Sequence, residues 1–74
     1  MHDHDTARER ILQHWERSIS DALSSHDRST LRFLQASIAE TVESFSGNAR
    51  ARARAALARC QAARRFLRGG RRHV

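Results

Sequence analysis

Apolar side chains recur along this chain with a helical period in three successive blocks. In the first, Ile11, Leu12, Trp15, Ile19, Ala22 and Leu23 fall within about 120° of one another at about 100° per residue. Glu9, Arg10, Gln13, Arg17, Ser20 and Asp21 take the other side, with Arg17 and Asp21 spaced as an i,i+4 pair. Thr6 and Glu9 have capping-box spacing: the hydroxyl accepts from the Glu9 amide and the carboxylate reaches back. The pattern predicts a one-sided helix over 6–24, preceded by a frayed polar end at 1–5. Trp15, in mid-stripe, is the expected core filler.

Residues 25–29, SHDRS, interrupt the period and offer Asp27 or Ser29 as the next N-cap. Leu31, Leu34, Ile38, Val42 and Phe45 then recur at spacings of 3, 4, 4 and 3, which predicts a second helix over 29–46. Its apolar seam is narrow, closer to coiled-coil packing than to a broad buried face. Phe33 points the other way, alongside Ser37 and Glu40, either as a lone exposed aromatic or as a contact for another chain. At the following joint, Gly47 suits a left-handed position and Asn48 a cap.

The third block predicts a helix over 49–68, halted by Gly69 and Gly70, with a flexible basic tail at 69–74. Its stripe of Ala49, Ala53, Ala56, Cys60, Ala63 and Leu67 is nearly all small, so a neighbour can approach closely while each contact buries little area. Leu57 and Phe66 flank the stripe on opposite sides. Arg50, Arg54, Gln61, Arg64, Arg65 and Arg68 form a ridge roughly 27 Å long on another face. Arg50, Arg52 and Arg54 occupy the first two turns, where the helix dipole prefers anions. The helix is therefore expected either to dock on the first two or to project and be fixed by a partner.

Charge sharpens this picture. Residues 48–74 carry nine arginines and no carboxylate, whereas residues 1–47 carry five arginines and eight carboxylates. A segment of net −3 is thus followed by one of +9, giving the formal +6. Such asymmetry bears on partners more than on fold. At 74 residues, without proline, the chain reads as one all-α domain of two antiparallel amphipathic helices plus an Arg/Ala-rich third. That third helix completes a three-helix bundle or projects from a helical hairpin. A core this thin points to self-association.

Chemistry is sparse. No glycine-rich phosphate loop, zinc spacing or Cys/His pair is present, so no catalytic residue, metal, cofactor or small-molecule substrate is assigned. His2 and His4, with Asp3 and Asp5, make a poor preformed metal site on a polar end. Cys60 is expected as a compact apolar residue of the stripe, although Arg59 and Arg64 would lower its pKa if it were exposed. A single cysteine, no membrane span and no signal peptide make the cytoplasm the default location.

The expected function is a non-enzymatic protein–protein interaction module: a small adaptor, regulator or co-chaperone-like protein, acting on a protein partner or on itself. Arg50, Arg54, Arg64, Arg65, Arg68, Arg71 and Arg72 are the candidate contacts to carboxylate or phosphate. Phe33, Leu57, Cys60, Phe66 and Leu67 are the candidate apolar interface. The alternative is a nucleic-acid-binding protein in which the same arginines meet the phosphate backbone, with little choice of sequence.

Overall fold

A computed structural model describes residues 2–70 of the chain, with side chains from Thr6 to Arg68. Three helices follow in order: α1 His2–Ser24, α2 Arg28–Thr41 and α3 Gly47–Gly70, with one 3₁₀ turn at Val42–Ser44 between the last two. Among the described residues the fold is all-α. α3 packs against both α1 and α2, so it completes a three-helix bundle rather than projecting from a hairpin. Contacts between α1 and α3 rise together along both helices, from Glu9–Arg52 to Ser20–Arg59, so these helices run parallel. Gln35–Arg64 and Glu43–Arg50 run in opposite senses, so α2 is antiparallel to α3.

The apolar seams meet as their spacing requires. Leu12, Trp15, Ile19 and Ala22 of α1 are buried with Leu31, Leu34 and Ile38 of α2, and Val42 and Phe45 just beyond it. From α3 come Ala53, Ala56, Cys60, Ala63 and Leu67. The bulky groups thus come from the first two helices, and the small stripe of α3 fits against them. Leu23, Ala49 and Leu57 pack at the margin of this core. Ile11 does not join it: at 40% exposed it stands at the edge of the α1 stripe, and Leu12 and Trp15 take the central positions.

Local chemistry explains the joints. α1 ends with His26 at φ +58°; Asp27 N–H donates to Ala22 O (2.8 Å) and His26 N–H to Leu23 O (3.3 Å). This is a Schellman arrangement with histidine at the left-handed position usually taken by glycine. Asp27 then caps α2: its carboxylate accepts from the Thr30 amide (3.1 Å) and the Thr30 hydroxyl (2.6 Å). α2 stops sooner than its apolar seam implies. The Thr41 hydroxyl donates back to Ser37 O (2.8 Å), and Ser44 to Thr41 O (2.7 Å). Such side-chain bonds compete with helix continuation. Phe45 is extended (φ −91°, ψ 161°), and its ring lies 5.7 Å from that of Trp15. Gly47 opens α3 at φ +56°, the left-handed value that favours glycine.

α1 begins at His2, so Thr6 lies inside the helix and caps nothing. Its expected partner Glu9 is engaged elsewhere, by Arg52 from α3 and by Gln13 Nε2 (3.1 Å). The expected Arg17–Asp21 ion pair is not formed among the described residues. α3 runs to Gly70, two residues past the expected stop. The side chains of His2, Asp3, His4 and Asp5 lie outside the described set, as do residues 71–74 of the expected tail.

Candidate anion-binding groove

The fold separates two sets among the arginines of α3. Arg50 and Arg52, near its N-terminus, are turned onto groups of the same chain. Arg52 Nη1 sits 2.8 and 2.9 Å from the two oxygens of Glu9, and Nη2 lies 3.0 Å from Glu16 Oε1. Arg50 donates from Nε to Phe45 O (2.9 Å) and lies 3.9 Å from the Glu43 carboxylate. Three carboxylates thus gather around the first turns of α3. They offset the unfavourable placing of arginines at a helix N-terminus. Hydrogen bonds from Arg52, above all, hold the Glu9 carboxyl below its ordinary pKa, and donating to Glu16 and Glu9 raises that of Arg52.

The other group has no such partners. Antiparallel packing sets the first residue of α2, Arg28, beside the last turns of α3. There Arg28, Gln35, Gln61, Arg64, Arg65 and Arg68 line an open groove of about 380 Å³. The α3 members are spaced i, i+3, i+4 and i+7, one face of a helix, and Arg28 and Gln35 are two turns apart on α2. Gln35 Oε1 accepts from Arg64 Nη1 at 2.6 Å, which fixes Arg64, half-buried, against α2. Arg28, Arg65 and Arg68 are exposed. No carboxylate lines the groove, and no ion pair involves its arginines among the described residues. The acid at that end of α2, Asp27, is committed to Thr30; bonds from the Thr30 hydroxyl, then the Thr30 amide, hold its pKa low.

Of the expected contacts, Arg64, Arg65 and Arg68 therefore converge in one place. Arg50 lies at the opposite end of α3 and is engaged, Arg54 is exposed outside the groove, and Arg71 and Arg72 lie outside the described residues. Arg28 and Gln35 were not among the sequence candidates: Arg28 fell in the break before the expected second helix, and the register of α2 against α3 was not legible.

The expected apolar interface separates likewise. Cys60 and Leu67 are buried in the chain's own core, 0% and 4% exposed, which takes both off any outer surface. Burial raises the Cys60 pKa, and this outweighs the lowering by Arg59 and Arg64. Leu57 is partly covered. Phe33 and Phe66 remain outside, 69% and 67% exposed, on different helices. Phe66 flanks a second, apolar groove of about 250 Å³ between α1 and α3, with Ile19, Leu23, Arg59, Ala62 and Ala63. Because all three helices fill one core, an underfilled interior no longer argues for self-association.

Among the described residues, no group of three or more His, Cys, Asp or Glu side chains is placed to hold a metal. No described helix is long and apolar enough to cross a membrane. The chain matches no protein-family model, no curated protein and no solved structure.

Proposed function

We propose that this protein is a non-enzymatic interaction module, a small adaptor or regulator, that engages an anionic surface of another macromolecule. Its contact site is the groove between the start of α2 and the end of α3. One observation carries the reading: Arg28, Arg64, Arg65 and Arg68 share a groove that no carboxylate lines among the described residues, while Arg50 and Arg52 of α3 are occupied internally. Guanidinium groups gathered without counter-charges repel one another, and an incoming carboxylate or phosphate relieves this through charge-assisted, bidentate bonds. The unpaired Cys60, held in the core, fits work in the reducing cytoplasm.

The test separates a built site from net charge. Retention on a sulfated-polysaccharide (heparin) column is compared for R65Q/R68Q and R10Q/R17Q, which remove equal charge from the groove and from exposed α1 positions. This reading predicts that R65Q/R68Q elutes at clearly lower salt. Co-elution of the two variants would reduce the groove to ordinary surface charge. Light scattering on the same samples reports whether the unit that binds is one chain or an assembly.

A further inference from the structure

We infer that the ligand of this groove is the phosphodiester backbone of a nucleic acid, held without base recognition. The inference rests on the proposed function and names the anion that the groove takes.

The lining decides between nucleic acid and an acidic protein. Affinity at protein–protein interfaces is concentrated in a few Trp, Tyr and Arg side chains packed in desolvated, largely apolar pockets. Here all six lining side chains are arginine or glutamine. The exposed large apolar groups, Ile11, Phe33 and Phe66, are not among them. Phosphate contacts need no such anchor: charge and hydrogen-bond donors supply the affinity. Gln35 and Gln61 add neutral amides, suited to phosphate or sugar oxygens.

The same lining argues against reading bases. With no aromatic among the described residues of the groove, unpaired bases find no stacking surface there. Phe66 stands over the apolar groove on the α1 side of α3. Arginine does read guanine from a major groove, but there it must project along a recognition element. Arg64 is instead tied to Gln35 across the interface, and its companions come from the ends of two antiparallel helices. Such an arrangement tracks a charged strand and leaves base edges untouched. Arg64 and Arg68, one turn apart, stand about 6 Å from each other along the axis, and Arg28 approaches from α2.

Four guanidinium contacts make a quantitative statement. For duplex DNA the slope of log K against log salt is about −0.9 per phosphate neutralised, so four contacts give a slope between about −3 and −4. Raising salt fourfold then weakens binding roughly a hundredfold or somewhat more.

Fluorescence anisotropy with a labelled 20-base-pair duplex of arbitrary sequence, from low to moderate salt, tests this. Wild type is expected to show that slope, R65Q/R68Q a slope shallower by about 2, and R10Q/R17Q nearly the wild-type slope. Two unrelated duplexes are expected to bind within a few-fold of each other. Circular dichroism checks that each variant is folded, and R65Q/R68Q leaves the Arg64–Gln35 bond intact. Equal slopes for wild type and R65Q/R68Q would overturn the inference, as would a more than tenfold preference between duplexes. Polyglutamate competing as well as duplex at the same salt would assign the groove to carboxylates, overturning this inference while leaving the proposed function standing. Indifference to duplex, polyglutamate and heparin alike would overturn both.

Discussion

Arg52 and Glu9 are 43 residues apart in sequence, yet one guanidinium nitrogen reaches both oxygens of the carboxylate, at 2.8 and 2.9 Å. A second nitrogen reaches Glu16 at 3.0 Å, two turns of α1 further on. One side chain thus ties two turns of α1 to the start of α3 and fixes the register of two parallel helices. The same contacts take a cation of the basic segment out of play for any partner.

Because Arg52 favours the ionised form of Glu9, the sign of its pH dependence follows. A carboxyl whose folded pKa is depressed contributes stability above its unfolded pKa, near pH 4.3 on a rough scale, and loses it as pH falls through the folded value. Asp27, held low by Thr30, acts in the same direction. Thermal unfolding from about pH 5 to about pH 3 is expected to show a falling Tm. Arg52→Gln should have a lower Tm at neutral pH and a shallower fall in acid, since Glu9 no longer gains from ionising. A parallel pH profile for the variant would separate Glu9 from the effect.

His26 provides a backbone test. At φ +58° it occupies a conformation that costs an L-residue roughly 1–2 kcal/mol and glycine almost nothing. His26→Gly is expected to stabilise the fold by up to about 1 kcal/mol, since glycine also loses more entropy on folding. Urea unfolding measures this, and a loss of stability would mean that the imidazole makes an unseen contribution.

The small-residue stripe of α3 is a packing requirement. Ala53 is 0% exposed, in the core that α3 shares with α1 and α2. Ala53→Leu is expected to destabilise by about 1–3 kcal/mol through overpacking, despite the high helix propensity of leucine. Unchanged urea stability would mean that α3 is not held close at this level.

Cys60 is sealed in that same stripe, and burial raises its pKa. Native protein is expected to react slowly with a thiol reagent, at a rate that rises steeply with urea. Non-reducing gels should show no disulfide-linked dimer. Fast native labelling, or a disulfide-linked dimer on the gel, would place Cys60 at the surface.

These cases show what the sequence made legible. The α2 seam, the α3 stripe, the Asp27 cap and the left-handed Gly47 depend on neighbours a few residues away, and periodicity and turn chemistry encode those. Some errors were also local, among them the α1 start, where helix continues through the apparent cap Thr6, and the end of α2, where Thr41 and Ser44 hydroxyls compete for carbonyls. Other misses were long-range. Nothing near Glu9 announces Arg52, and nothing near Arg28 places it beside Arg64, Arg65 and Arg68. Both depend on helix register, which small side chains along α3 leave weakly specified in sequence.

The central claim is that the arginines of α3 have two jobs, divided by position. R50Q/R52Q and R65Q/R68Q each remove two charges from one helix, and the most direct measurement takes Tm and duplex affinity for both side by side. The division predicts that R50Q/R52Q lowers Tm and keeps most of the binding, whereas R65Q/R68Q keeps Tm and loses binding. Equal losses of binding in the two variants, with no difference in Tm, would contradict it.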